Sequence, residues 1–124
     1  MYTIEHTPEF EKCMHHLRKF RTIEEDLNRF EKVLLANQPD LKPWGMDVVI
    51  IPGISGTKYM EIYKARKFKC VSLNSTQKIR VIYTFNPSEN KIIFVEIYFK
   101  GDREDHNVDL IKKYLVEKPQ AKTD

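Results

Sequence analysis

The chain has 124 residues, 41% of them hydrophobic, which is enough for one globular domain with its own core. No stretch of about 18 consecutive apolar residues occurs, so the sequence excludes an apolar membrane-spanning helix. The net charge is +3, and its positive excess is concentrated between Lys58 and Arg103. This distribution indicates an anionic partner, although a solvated sheet face is the common alternative.

The N-terminus and the cysteines indicate the cellular compartment. The first ten residues, MYTIEHTPEF, include acidic side chains and lack the apolar segment of a secretory signal. Cys13 and Cys70 lie in different predicted elements and suggest no disulfide framework. We therefore expect a cytoplasmic protein with reduced thiols and no membrane partner.

The first third of the chain predicts one strand followed by two helices. In Tyr2–His6, the side chains Tyr, Ile and His alternate with Thr and Glu, which is typical of a strand with one half-buried face. Thr7 before Pro8 predicts a helix start, and this helix extends to about residue 19. The capping-box pattern at Thr22–Glu25 predicts a second helix, which Pro39 ends. Both helices carry an apolar stripe, so we expect a helical hairpin lying on a sheet.

The rest of the chain predicts mainly strands. Residues 39–57 predict an irregular connection that contains a short strand. The predicted elements from this connection onward are the strands Val48–Ile51, Lys58–Cys70, Ile79–Phe85 and Lys91–Phe99, and the helix Asp105–Glu117. A tight turn at Asn86–Asn90 joins the last two strands.

Alternation along the last two strands predicts which side chains share a face. In the first, Arg80 points away from the apolar face. In the second, one predicted face holds Ile93, Val95, Ile97 and Phe99, and the other holds Ile92, Phe94, Glu96 and Tyr98. A strand that is apolar on both faces is typical of the centre of a sheet.

Together these elements predict an α+β domain in which a small antiparallel β-sheet packs against an N-terminal helical hairpin, with a short C-terminal helix. The predicted domain covers residues 1–118, and residues 119–124 are expected to form a disordered tail.

The order of these elements resembles the RelE/ParE superfamily of toxins from bacterial and archaeal type II toxin–antitoxin pairs. The resemblance is carried by KARKFKC in one strand, IRVIYTF in the next, and IIFVEIYFKGDRED before the terminal helix. Similarity to the RelE branch implies an endoribonuclease that cleaves mRNA at the ribosome without a metal or cofactor and inhibits translation. It also implies a small antitoxin partner that covers the site.

Two alternatives stay open at this point. The ParE branch shares the fold but inhibits DNA gyrase, so the fold alone does not determine the activity. A basic RNA-binding module without chemistry is the third interpretation, and it requires only the cations of the strands.

The resemblance to the RelE branch also implies where the site lies. RelE-like nucleases carry cations on the strand before the hairpin, within its first strand and just after its second. The candidate catalytic residues at matching positions, together with the nearest candidate general base, are Lys64, Arg66, Arg80, Arg103 and His106. The candidate RNA-binding residues are Lys67, Lys69, Lys78 and Lys100. Relatives often place a Tyr or His a few residues past the last cation; His106 is the nearest titratable group, and Tyr98 and Tyr114 are less well placed.

Cleavage of RNA by its own 2′-hydroxyl requires a proton acceptor, charge stabilisation at the phosphoryl oxygens and a proton donor for the 5′-oxygen. Fixed arginines supply the stabilisation, and Arg80 is held by a strand. Lys64 or Lys69, with a pKa lowered by neighbouring cations, or His106 would transfer protons.

Each of these assignments has a purely structural alternative. Arg80 would pair with Glu96 across the hairpin, and His106 would be a surface residue or helix cap. Cys13, His15 and His16 are not expected to bind a metal, because Cys13 and His15 point in different directions on one helix.

Overall fold

The structure is a computed structural model that describes residues 1–51 and 61–112. Its elements are β1 (Thr3–His6), α1 (Pro8–Leu17), α2 (Ile23–Ala36), β2 (Val48–Ile50), β3 (Ile62–Cys70), a 3₁₀ turn (Val71–Leu73), β4 (Ser75–Asn86) and β5 (Lys91–Phe99). A helical segment at residues 108–112, here called α3, follows. The predicted start of the third strand, the end of the terminal helix and the predicted tail fall outside the described residues.

The five strands form one sheet in the order β1-β5-β4-β3-β2. The pairs β2–β3, β3–β4 and β4–β5 are antiparallel, whereas β1 runs parallel to β5, with Thr3 opposite Lys91. The predicted α+β architecture is confirmed, but the sheet is mixed. The reason is that α1 and α2 carry the chain from one edge of the sheet, β1, to the other edge, β2.

The two helices pack one apolar stripe each on the same sheet face. Thr7 begins α1 as predicted, since its Oγ1 accepts a hydrogen bond from the Phe10 amide at 3.0 Å. The core residues that the helices contribute are Phe10, Met14, Leu17, Ile23, Leu27, Phe30 and Leu34. Burying these side chains against the strands supplies most of the stability of such short helices.

The predicted capping box of α2 is wrong. Thr22 makes no side-chain bond to a backbone amide of the first turn, and its φ and ψ of −97° and 9° are not those of an extended cap residue. Its hydroxyl instead donates to Asp26 Oδ2 at 2.8 Å and bonds the Ser72 hydroxyl at 3.0 Å. Thr22 therefore connects α2 to the 3₁₀ turn after β3.

A β-bulge in β5 overturns the predicted faces of that strand. Ile82 lies opposite Glu96 and Tyr83 lies opposite Phe94, so β5 holds one extra residue at Val95. Beyond this point the alternation changes phase. Ile92, Phe94 and Ile97 all face the helices, while Val95 packs on the other side.

A second bulge shifts the phase of β3. Ala65 lies opposite Val81 and Phe68 lies opposite Ile79, so three steps along β3 match two along β4. The extra residue falls in Arg66–Lys67, and the side chains on the helix side are Tyr63, Ala65, Phe68 and Cys70. This bulge accounts for the irregular alternation of the basic half of the strand.

The second sheet face has a small apolar cluster of its own. Ile62, Ile82, Val95 and Ile111 form a small cluster there, separate from the main core. Ile111 lies in α3, so the segment after β5 folds back across this face. Cys13 and Cys70 are free thiols, and no helix of the described residues is long and apolar enough to cross a membrane.

Candidate functional site

The candidate site lies on the sheet face opposite the helices. Lys64 is paired with Ile82, and Ile82 with Glu96, so their side chains point to the same face. Arg80 and Tyr98 lie directly opposite each other on that face. Three adjacent strands therefore present Lys64, Arg80, Glu96 and Tyr98 together.

Lys64 is the centre of a cluster with the segment that follows β5. Its Nζ donates a hydrogen bond to Asp105 Oδ1 at 2.8 Å and lies 3.2 Å from His106 Nδ1. The same ammonium lies 5.8 Å from the centre of the Tyr98 ring. The structure thus brings together Lys64 and His106, two of the residues predicted from the sequence.

Arg103 joins this cluster through a buried carboxylate. Its Nη2 donates to Glu96 Oε2, and its guanidinium lies 4.8 Å from the centre of the Tyr98 ring. Glu96 also accepts from the Asn107 amide at 2.9 Å. The predicted alternative in which Glu96 pairs with Arg80 is wrong, because Glu96 is occupied by the terminal segment.

The environment of the cluster sets its protonation. Burial, followed by the charge of Lys64, lowers the pKa of His106, so its imidazole is neutral at neutral pH. The hydrogen bonds from Lys64 and from the His106 amide lower the pKa of Asp105 to about 2. Burial raises the pKa of Tyr98, whose hydroxyl is buried and has no hydrogen-bond partner within the described part of the chain. The cluster therefore contains a neutral histidine next to an ion pair.

Arg80 and Arg66 make contacts at the bulge of β3. Arg80 Nη1 donates to the carbonyl of Arg66, and Arg66 Nη2 donates to Asp47 Oδ1 at 2.9 Å. The hydrogen bond from Arg66 lowers the pKa of Asp47. Arg66 is thus held toward Asp47 and not toward Lys64, whereas Arg80 lies between the bulge and Tyr98.

The four predicted RNA-binding lysines are exposed and fall into two pairs. Lys67 and Lys69 line a groove beside α2. Lys78 and Lys100 lie at the open end of the β4–β5 hairpin, where the Lys100 amide donates to the Lys78 carbonyl at 2.8 Å. None of the four pairs with a carboxylate among residues 1–51 and 61–112.

The partners of the two carboxylates in the site, Asp105 and Glu96, were not predicted from the sequence. Asp105 neutralises Lys64 and Glu96 neutralises Arg103, so the two predicted cations of the cluster carry no excess positive charge. The available signal was Glu96 itself, because an acid in the middle of an apolar strand requires a cationic or hydrogen-bonding partner. Within the described residues, no group of three or more His, Cys, Asp or Glu side chains is placed to hold a metal ion.

No protein-family model matches this sequence, and no curated protein matches it. Among solved structures, the fold is similar to a chain in the crystal structure of the archaeal RelE–RelB complex from Pyrococcus horikoshii OT3. The alignment covers 81% of this chain and 96% of that chain, with 20% sequence identity and a TM-score of 0.56. The chain therefore has a RelE-like fold, as the resemblance predicted.

Proposed function

We propose that this chain is the toxin of a type II toxin–antitoxin pair and that it cleaves mRNA at the ribosome. The observation that carries the proposal is the convergence of Lys64, Arg103 and His106 on one sheet face of a RelE-like fold. The similar chain from Pyrococcus horikoshii comes from a RelE–RelB complex, which supports a small protein partner for this chain as well.

In the proposed reaction the 2′-oxygen of a ribose attacks the adjacent phosphorus, and the bond to the 5′-oxygen breaks. The 2′-hydroxyl loses a proton and the departing oxygen gains one, leaving a cyclic phosphate and a 5′-hydroxyl. We assign both proton transfers to the pair of Lys64 and His106, which lie 3.2 Å apart. A neutral imidazole beside an ammonium provides one proton acceptor and one proton donor at neutral pH.

The arginines would stabilise the charge that develops on the phosphoryl oxygens. Arg103 is half exposed although its carboxylate partner is buried, so it retains donors for a substrate. Arg80 lies across from Tyr98 on the same face and reaches toward the bulge. Preorganised cations of this kind act at the transition state without reorganisation.

Phosphate binding at Lys64 requires that the ion pair between Lys64 and Asp105 breaks. The Lys64 side chain is 14% exposed, whereas that of Asp105 is 67% exposed. Asp105 can therefore turn into solvent at little cost while a phosphoryl oxygen takes its place on the ammonium. The ion pair would keep Lys64 extended into the site in the absence of RNA.

Inducible expression in bacteria tests the proposal. We expect the unchanged chain to arrest growth and the double variant Lys64→Ala/Arg80→Ala to leave growth unaffected at equal soluble protein. Lys32→Ala is the matched control, because Lys32 is exposed on α2, on the other side of the sheet, and should arrest growth fully. Unreduced arrest by the double variant would contradict the proposed site.

A separate experiment tests the partner. A small open reading frame adjacent to the gene should encode a protein that relieves the arrest when the two are expressed together and that copurifies with the chain. Failure of every adjacent reading frame to relieve the arrest would contradict the antitoxin part of the proposal.

A further inference from the structure

Trp44 is the only tryptophan of the sequence, and its side chain is 97% exposed. It lies in the connection between α2 and β2. A single exposed apolar residue is common on protein surfaces and carries no meaning by itself. Whether Trp44 has a functional role must therefore be judged from the local structure around it.

The turn that carries Trp44 is held firmly on the sheet. Before Trp44, the Leu41 carbonyl accepts a hydrogen bond from the Tyr83 hydroxyl at 2.6 Å. After it, Met46 packs on the main core, and its carbonyl accepts from the Lys67 amide at 3.0 Å. Gly45, between Trp44 and Met46, has a φ of 92°, which side-chain-bearing residues rarely adopt. The exposed indole thus projects from a fixed support.

A basic groove begins beside this turn. It has a volume of about 360 Å³ and is lined in part by Gly45 and Met46. The apolar part of its lining includes Phe30 and Val33, and its cations are Arg29, Lys67 and Lys69. The groove's carboxylate, Asp26, is buried and already accepts hydrogen bonds from Arg29 at 2.6 Å and from Thr22. The exposed edge is therefore positively charged.

We propose that Trp44 and this groove bind single-stranded RNA outside the Lys64 cluster, with a base stacked on the indole and phosphates on Lys67 and Lys69. An exposed aromatic ring beside a basic groove is the combination by which proteins bind single strands without reading their sequence. The charge complementarity favours a polyanion over an apolar segment of a protein partner. This inference rests on the proposed function and extends it to a second binding surface.

The groove and the candidate site adjoin the same strand, the groove beside α2 and the Lys64 cluster on the opposite sheet face. Lys64 and Lys67 are three residues apart in β3, which corresponds to about 10 Å. Between them, Arg66 bonds Asp47 of the Trp44 turn, and its carbonyl accepts from Arg80. The groove would thus hold the RNA on one side of the cleavage position.

Fluorescence of the single tryptophan tests this inference directly. The probe is an oligothymidylate of about eight nucleotides, within the site sizes known for single-strand binders. It lacks the 2′-hydroxyl and therefore cannot be cleaved by the proposed chemistry. We expect it to quench the fluorescence of Trp44 and the quenching to weaken as salt is added.

Variants locate the contacts. With a labelled oligothymidylate read by anisotropy, Trp44→Ala should lower the affinity by about fivefold or more, as the loss of one stacked base predicts. Lys67→Ala/Lys69→Ala should weaken binding and reduce its salt dependence, whereas Lys32→Ala should bind like the unchanged chain. Circular dichroism verifies that each variant is folded, which exposed positions should permit.

Three outcomes would overturn the inference: unchanged fluorescence with oligothymidylate, unchanged affinity of Trp44→Ala, or a fluorescence change produced only by the protein partner. If RNA cleavage still requires Lys64 in any of these cases, the proposed function stands and the inference alone fails. If oligothymidylate quenches Trp44 while mRNA stays intact, the binding surface is supported and the proposed function fails.

Discussion

Lys64 Nζ and Asp105 Oδ1 lie 2.8 Å apart, although the two residues are separated by 41 positions in the sequence. The contact joins the first half of β3 to the segment after β5, which crosses the second face of the sheet. His106 Nδ1 also lies 2.8 Å from Asp105 Oδ1, so Asp105 contacts both groups to which we assign proton transfer. This ion pair determines how much positive charge the site presents to RNA.

Asp105→Asn should strengthen RNA binding. Removing the carboxylate leaves the charge of Lys64 available to a phosphate, and we expect a gain in affinity of about two- to fivefold at low salt, the size of an exposed ion pair. The measurement is a titration with labelled oligothymidylate.

Glu104→Gln is the matched control for this prediction, because Glu104 is an exposed neighbouring acid. Equal gains for the two variants would show that net charge, and not the contact with Lys64, sets the affinity.

Arg103→Ala should destabilise the fold. Glu96 is fully buried, and without Arg103 the Asn107 amide would be its remaining partner among residues 1–51 and 61–112. We expect the free energy of unfolding to fall by about 3 kcal/mol, as when one partner of a buried pair is removed. Denaturation by urea measures this change.

Two further variants separate the buried charge from a general effect of losing an arginine. Glu96→Gln/Arg103→Ala should recover part of the loss, because the carboxylate is gone. Arg18→Ala removes an exposed pair with Glu24 and should change stability by less than about 1 kcal/mol. Equal losses for Arg103→Ala and Arg18→Ala would contradict the role assigned to Glu96.

His6 should make stability depend on pH. Its Nδ1 lies 2.7 Å from Glu11 and its Nε2 lies 2.6 Å from Glu31. Burial lowers its pKa, but the hydrogen bonds and charges of Glu31 and Glu11 outweigh it, so the folded-state pKa lies above the ordinary value of 6.5. The stabilisation by protonated His6 is therefore complete below about pH 6.5 and is lost as the pH rises through the folded-state pKa.

Urea denaturation from about pH 6 to about pH 9 measures this dependence. In His6→Gln, the decrease in the free energy of unfolding just above pH 6.5 should be absent. His15→Gln, at an exposed position of α1, should keep it. An unchanged slope in His6→Gln would contradict the assignment.

The local elements of this chain could be predicted because their signals are local. The strand Lys91–Phe99 has the predicted bounds, and Thr7 begins α1 as its position before Pro8 indicates. The two bulges could not be predicted, since Val95 and Arg66–Lys67 are ordinary strand residues and only their register with β4 shows the extra residue. The parallel pairing of β1 with β5 depends on contacts that are distant in sequence.

The candidate site could also be predicted only in part. The resemblance placed Lys64 and Arg103 in one site and left His106 as the nearest titratable group, and the structure brings these three side chains to one face. It could not indicate that Asp105 and Glu96 neutralise the cations, because the bulge in β5 and the path of the terminal segment decide which acids they meet. The exposure of Trp44 could not be predicted either, since it depends on how the turn is anchored.

The most direct test of the central claim is a cell-free translation reaction in which the ends of the mRNA are mapped. We predict new mRNA ends with the unchanged chain and with Lys32→Ala, and none with Lys64→Ala when it is added as folded protein, verified by circular dichroism, at the same concentration. Intact mRNA in the presence of the unchanged chain would contradict the account, and inhibition of DNA gyrase by the same preparation would then favour the ParE-like alternative.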